Sequence, residues 1–351
     1  MKKTLIVAAG LAVLSTSAFA SKARMQALGQ DATLGSFYMQ DNRNIWRMPH
    51  SINANSNFVV TEWGPQAADK DAENAEGGFF NSAASMNYGL YLNADALGNV
   101  QAAANDNNPT RFDVFVGGNS MMNWGARLGY ETVTNNVSGQ TAQEASGFDF
   151  TVSAELSGAN VYLTYVAAAD ATQTSQFDQN ADIKLGATYM MNEYTLFGEY
   201  SIEGNNAAKD NIAEEEASSK ITVGAGKAMA MSDSATVFYD AKIISTSNYD
   251  ANGAYSKNAS SMALPVTFGV ESKATSWLTL RASISQPIYS NIKTTNPATD
   301  VTTETSSRST KLGVGASLTY GSLQLDGTLS NNGELGATDN ILTNVSMTYV
   351  F

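Results

Sequence analysis

The chain reads as all-β, a transmembrane antiparallel up-and-down barrel, and three features of its 351 residues predict this. The segment from Thr343 to Phe351 alternates, with Val345, Met347, Tyr349 and Phe351 on one face of a strand and Asn344, Ser346 and Thr348 on the other. The same period of two recurs along the chain from Ser85 onward. Between these runs, tight turns exchange regularly with long polar links, the rhythm of a barrel with short turns at one end and long loops at the other.

Lys2 and Lys3 precede an apolar stretch from Leu5 to Leu14, and Ala18-Phe19-Ala20 has the small-x-small form that a signal peptidase cuts. Residues 1–20 are therefore expected to be a signal peptide, with Ser21 as the mature start. No later stretch approaches the roughly 18 apolar residues that a membrane helix needs. With no Cys, the chain has no thiol for a lipid anchor, a disulfide, a zinc–thiolate site or a nucleophile. The formal charge is −13, and −15 without Lys2 and Lys3, which argues against nucleic acid as a partner because a phosphate-binding surface is basic. A mean hydropathy of −0.19 is compatible with a membrane barrel, which shows lipid only alternate residues of each strand.

The strands follow in order. Arg111–Val116 places Phe112, Val114 and Val116 opposite Arg111 and Asp113, and Trp124, Ala126, Leu128 and Tyr130 oppose Arg127. Phe148, Phe150, Val152, Ala154 and Leu156 oppose Asp149 and Glu155. Ile183 to Tyr189 oppose Lys184, Val237 to Ile243 oppose Asp240 and Lys242, Leu264 to Val270 oppose Glu271, and Leu312 to Leu318 oppose Lys311. Tight turns are expected at 157–159, 191–193, 274–276 and 320–322. Long loops are expected at about 93–110, 132–146, 167–181, 203–218, 245–261, 286–307 and 330–340. This count favours fourteen strands within residues 85–351, and sixteen is the alternative if Asn57–Trp63 joins the wall with a partner near Leu34–Met39. Residues 21–84 are then an N-terminal extension and a candidate plug for the lumen.

The terminal aromatic, Phe351 with Tyr349 behind it, resembles the carboxyl-terminal signature of Gram-negative outer-membrane proteins, and the resemblance implies recognition by the barrel-assembly machinery. Leu28-Gly29, Asp41-Asn42-Arg43-Asn44-Ile45 and Met48-Pro49-His50 resemble the hatch of fatty-acid-transport-type barrels, although Met48 and His50 flank Pro49 where that family has Asn-Pro-Ala. Across the mature chain the pattern is similar to Gram-negative outer-membrane β-barrel porins, most of all the abundant porin-like outer-membrane protein of predatory deltaproteobacteria. The resemblance implies an outer-membrane location, a surround of lipid and lipopolysaccharide, and a homo-oligomer as one assembly.

Fourteen charged residues are candidates for lining the pore: Arg111, Asp113, Arg127, Asp149, Glu155, Lys184, Glu199, Asp240, Lys242, Glu271, Lys273, Arg281, Lys311 and Asp326. Ionised groups are costly on a dry face, so this face is expected to be wet; the competing reading is cross-strand salt bridges that stiffen a plugged barrel. Acidic clusters at Asp69, Asp71, Glu73 and Glu76 and at Asp210, Glu214, Glu215 and Glu216 lack EF-hand spacing and read as solvated loops, so no metal or cofactor is expected. The third long loop is a candidate constriction, with Asp170 and Asp178 facing Arg111 or Arg127. The lone His50 precedes the strands, and no nucleophile, base and orienter can be assembled around it, so no enzymatic activity is expected. The function expected is a porin passing small hydrophilic solutes and ions by passive diffusion and favouring cations. The alternatives are a hydrophobic-substrate barrel with an N-terminal hatch, and a structural or adhesive barrel without an open pore.

Overall fold

The structure, a computed structural model, describes residues 21–64, 75–94, 110–135, 143–167, 177–179, 181–209, 212–252, 255–296, 299, 301–306, 309–331 and 344–351. The expected signal peptide lies outside them. After a short helix, α1 (Lys22–Ala27), and two 3₁₀ turns (Asn42–Trp46 and Pro49–Asn53), the described chain is strand and turn. The strands are β1 (Phe58–Trp63), β2 (Ala75–Ala83), β3 (Met86–Leu92), β4 (Thr110–Gly118), β5 (Asn123–Asn135), β6 (Gln143–Leu156), β7 (Ala159–Val166), β8 (Phe177–Gln179) and β9 (Asp182–Met191). They continue as β10 (Tyr194–Lys209), β11 (Ile212–Ser232), β12 (Ala235–Asn252), β13 (Tyr255–Lys273), β14 (Leu278–Asn296), β15 (Val301–Thr305), β16 (Lys311–Tyr320), β17 (Leu323–Asn331) and β18 (Asn344–Val350).

All belong to one antiparallel sheet, closed because β1 pairs with both β2 and β18. The three-residue β8 lies on Asn205–Ala207 of β10, and β15 lies on the outer end of β14, so sixteen strands make the wall. The favoured count of fourteen is corrected. Fourteen wall strands do follow Ser85, and the two that were missing are β1 and β2, so the wall starts at Phe58 and includes Phe58–Trp63 and Ala75–Ala83. The partner of β1 is not Leu34–Met39 but Ala75–Ala83, whose pattern Gly77 and Gly78 obscure. A Cβ on Gly78 would lie 2.5 Å from the Leu90 carbonyl oxygen, so the tight approach of β2 to β3 requires glycine there.

In β4, Arg111, Asp113 and Phe115 are buried while Phe112 and Val114 are exposed. A water-soluble sheet buries its apolar face; this one turns apolar side chains outward around the wall, among them Leu128, Val152, Leu185, Val223, Phe268 and Val314. That surface suits lipid, and the wall is that of a membrane-spanning barrel. The links at one end are tight, as at Ser157-Gly158, where both residues have positive φ (51° and 85°) as a two-residue I′ turn requires. At the other end β11 to β14 run for 18 to 21 residues, about twice the roughly 9–11 that cross a bilayer. The polar segments expected as loops at 203–218, 245–261 and 286–307 are therefore mostly strand, polar because both faces stand beyond the hydrocarbon.

Candidate functional site

Residues 21–57 hold four cations, Lys22, Arg24, Arg43 and Arg47, against two acids, Asp31 and Asp41, in a chain that is otherwise acidic. Local capping shapes the segment. The Ser21 hydroxyl accepts from the Arg24 N–H at 3.1 Å, and the Asp41 carboxylate accepts from the Arg43 N–H at 2.7 Å. Its cations meet acids on the inner face of the wall. Lys22 pairs with Glu76 at 2.6 Å, Arg24 with Glu271 at 2.9 Å, Arg43 with Glu62 at 2.9 Å and Glu76 at 3.1 Å, and Arg47 with Glu199 at 3.6 Å. The bonded wall residues lie on β1, β2, β10 and β13. Further contacts reach β6 and β7 through His50, β14 and β17 through the carbonyls of Ala27 and Ala23, and β18 through Gln26 and Asn344. A segment bonded to inner faces this far round the sheet occupies the lumen.

The joint with β3 to β7 is dry. Arg111 bonds Asp113 at 2.7 Å, Asp149 at 2.5 Å and Glu131 at 3.3 Å, while Arg127 bonds Asp113 at 2.6 Å and also Asp149. Arg127 is 1% exposed and Asp113 0%. Trp46 roofs this network: its ring meets Tyr91 and Phe115 edge-on at 5.0 and 5.1 Å, and the Arg43 and Arg127 guanidinium groups lie 4.9 and 5.6 Å from its centre.

The joint with β11 to β16 is thinner. Toward the loop end, a cavity of about 410 Å³ lies between Gln26, Gly29 and Gln30 of the plug and wall residues including Lys242, Pro265, Ser285 and Lys311. Toward the turn end, a second of about 110 Å³ lies among Arg24, Tyr38, Met39, Thr195, Ala228 and Phe238. A hydrogen-bonded layer lies between them, beside the buried cluster of Met25, Leu28, Met39 and Phe238. The Tyr38 hydroxyl donates to Asp240 Oδ2 at 3.0 Å, and Gln30 Nε2 donates to the Tyr38 hydroxyl at 3.1 Å and to Asp240 Oδ2 at 3.3 Å. Asp240 Oδ1 is buried and accepts no hydrogen bond among the described residues. The Tyr38 ring lies flat on Gly226, where a Cβ would stand 2.4 Å from it. Burial and the neighbouring Asp240 carboxylate push the Tyr38 hydroxyl well above its ordinary pKa, so it donates at any physiological pH. Burial also raises Asp41 to about 6 against the pull of Arg24.

Of the fourteen candidate pore-lining residues, eight are buried: Arg111, Asp113, Arg127, Asp149, Asp240, Glu271, Arg281 and Asp326. The expectation of a wet face is corrected for these. Arg281 bonds Glu271 and Asp326 (3.1 Å to the latter), and Arg24 joins them from the plug, so these charges are paired rather than hydrated. Glu199 accepts from Tyr162 at 2.5 Å, Glu155 accepts from Asn123 at 3.0 Å, Lys184 is half-buried, and Lys273 is exposed near a turn. Lys242 and Lys311 reach the larger cavity. Of the candidate constriction loop, Asp170 and most other residues lie outside the described residues, and Phe177–Gln179, which includes Asp178, pairs with β10 because the extended strand offers it a hydrogen-bonding edge. Asp69, Asp71, Glu73 and Asp210 also lie outside, and Glu76 is a plug anchor instead of a solvated loop residue. Phe351 is exposed, and its N–H donates to the Asn57 carbonyl at 3.1 Å, which ties the end of the wall to its start.

Sequence reading missed Gln30, Tyr38 and Trp46, which carry no motif, and the signal that could have found the anchors is the basic excess of residues 21–57 against an acidic wall. It also missed a grouping around His50. Ser153 Oγ lies 2.9 Å from His50 Nδ1, and Asn160 Oδ1 lies 3.1 Å from Nε2. Burial lowers the His50 pKa, which keeps the ring neutral. These are the spacings of a nucleophile, a base and an orienter. Here, however, Ser153 Oγ also accepts the His50 backbone N–H at 2.9 Å, Ser153 and His50 are both buried at the plug–wall joint, and neither cavity includes any of the three.

No family model matches the chain, and no curated protein does either. Among solved structures the chain is similar to the ferric citrate transporter FecA in its unliganded form, at 10% identity and a TM-score of 0.44 over 78% of this chain, which spans only 44% of that protein's length. It is similar to OmpT, an outer membrane protein of Vibrio cholerae, at 9% identity and a TM-score of 0.37 over 84% of this chain and 97% of that one. A mutant Rh. blastica porin aligns at 12% identity and a TM-score of 0.34 over 84% and 99%.

Proposed function

We propose that this chain is an outer-membrane, porin-like channel for small hydrophilic solutes whose passage is closed at mid-height by its own residues 21–57. The observation that carries the reading is the pair of cavities on opposite sides of a single layer, Gln30, Tyr38 and Asp240, along the inner face of β11 to β13. Solutes enter from the long-strand end, which we assign to the outside, and passive diffusion follows when Tyr38 and Gln30 leave Asp240. The freed carboxylate then faces the path, which favours cations. The cavity sets Lys242, Lys311 and three serines among Ile244, Ala263, Pro265, Pro287 and Leu312, and the two ammonium groups favour a hydrophilic solute over a hydrophobic cargo. We assign no enzymatic role to Ser153, His50 and Asn160 and take them as a clamp between plug and wall. Lipid and lipopolysaccharide surround the apolar belt, and Phe351 serves assembly.

Planar-bilayer conductance tests the reading. The wild-type protein should conduct little, Tyr38→Ala should raise conductance several-fold, and Asp240→Asn should shift the reversal potential in a salt gradient away from cations. If conductance stays at the wild-type level in Tyr38→Ala and also after deletion of residues 22–54, the path is not the one described.

A further inference from the structure

The larger cavity has a chemistry of its own. The Lys311 ammonium makes no hydrogen bond or ion pair among the described residues, and that of Lys242 has only Asp240, 4.0 Å away. Both ammonium groups belong to inner-facing positions that line the same 410 Å³ space, a volume suited to a small-molecule ligand. Ala241 pairs with Val266, which sets Lys242 beside Pro265, and Lys311 pairs with Ser285. β13 and β14 lie between the two lysines, so they are separated by roughly 14 Å of wall arc at about 4.8 Å per strand. Two flexible four-carbon stems can close much of that distance around one ligand.

The wall is also irregular at this place. Pro265 pairs with Pro287, and the register between β13 and β14 shifts at Leu264/Pro265. Neither proline has an N–H to give the ladder, and neither strand is at an edge, where proline is ordinarily confined. Bulges of this kind occur next to binding sites, where they re-aim side chains. Two lysines, one without a side-chain partner among the described residues and one with a single distant partner, and the broken ladder coincide at one cavity, although nothing in sheet formation links them.

We infer that this cavity is a binding site for a small two-headed anion, a short dicarboxylate being the simplest, with one head on Lys242 and the other on Lys311. Ser285, whose hydroxyl accepts from Thr267 at 3.1 Å and keeps its own proton to donate, lies between them. The plug forms the floor through Gln26, Gly29 and Gln30. Gly29 has φ +67°, and a Cβ there would stand 3.1 Å from Ser283 Oγ, so the floor sits tightly on the wall. The site does not depend on whether the plug moves, because it is complete in the closed state; binding at equilibrium and conductance therefore test different things.

The experiment is isothermal titration of the full mature protein, refolded in detergent micelles, with succinate, inorganic phosphate and putrescine. Succinate should bind saturably, phosphate about tenfold more weakly because it spans one lysine at a time, and putrescine not at all. Lys242→Gln and Lys311→Gln should each weaken succinate about tenfold, and the double variant should lose measurable binding. Lys242→Arg with Lys311→Arg should retain it, which controls for folding along with heat-modifiable gel mobility. Saturable succinate binding that survives in the double Gln variant, phosphate binding as tight as succinate, or no saturable anion binding by the wild-type protein would each overturn the assignment.

Discussion

The joint between plug and wall differs on its two sides. Toward β3 to β7 it is a packed block, in which two arginines and three acids are closed under Trp46. Toward β11 to β16 the Tyr38–Asp240 layer of hydrogen bonds lies between two cavities, against Gly226 and Ala228 of β11, beside the buried cluster of Met25, Leu28, Met39 and Phe238 and the Arg24–Glu271 pair. The charges of the block all belong to β4, β5 and β6, so they stiffen the wall on which the Trp46 ring of the plug rests, whereas Gly226 and Ala228 give Tyr38 little to grip. Segment 21–57 can therefore remain attached through Trp46 and through the pairs of Lys22, Arg24 and Arg43 while Tyr38 moves.

The comparison breaks most directly at Arg127. Arg127→Ala leaves Asp113 and Asp149 buried with only Arg111 between them, and we expect a loss of about 3–5 kcal/mol. The matched change on the other side, Lys242→Ala, should cost less than about 0.5 kcal/mol because its ammonium has only one distant partner. Urea unfolding followed by the heat-modifiable gel shift measures both. Equal losses would mean that the block beneath Trp46 is no more tightly coupled than the wall of the larger cavity.

Trp46→Ala and Tyr38→Ala sharpen the contrast through function. Removing the Trp46 ring empties the roof of the dry block, an expected loss of about 3–5 kcal/mol, with conductance unchanged while the protein remains folded. Tyr38→Ala should do the reverse and raise conductance at a smaller cost in stability. Raised conductance in Trp46→Ala without a comparable rise in Tyr38→Ala would move the path to β3 to β7.

Much of this architecture was legible from strand alternation. Phe112 and Val114 point outward because Arg111 and Asp113 cannot, and the parity that revealed the wall also selected the lumen charges. What stayed hidden depended on a second layer. No pattern in Asp113 or Asp240 tells whether water or a plug faces it, and that alone decides whether the charge lines a pore or locks a joint. β2 was hidden because Gly77 and Gly78 replace the side chains that mark a strand, and β11 to β14 looked shorter than they are because strands beyond the hydrocarbon lose their apolar face. His50 looked isolated because its partners, Ser153 and Asn160, lie more than a hundred residues away in sequence.

The smallest effect expected belongs to pH and to that clamp. Burial lowers the His50 pKa in the folded state, so its contribution to stability is fully present above the ordinary histidine value near 6.5 and is lost as pH falls through the lower folded value. Asp41 acts with the opposite sign: its folded pKa of about 6 exceeds the ordinary 3.8, so its contribution is present below 3.8 and lost as pH rises through 6. Between pH 7.5 and 5 the two oppose each other, and the wild-type slope should be shallow. The variants separate them. Replacing His50 by Asn removes the acid-side loss, so melting at pH 5 relative to pH 7.5 should improve on the wild type; Asp41→Asn should make the same ratio worse. Both shifts should be smaller than the loss in Arg127→Ala, because each reflects the titration of one group whereas Arg127 compensates two buried carboxylates. Identical pH profiles for the wild type and His50→Asn would show that the ring is not neutral by virtue of its burial, and the clamp would then contribute through Ser153 and the backbone alone.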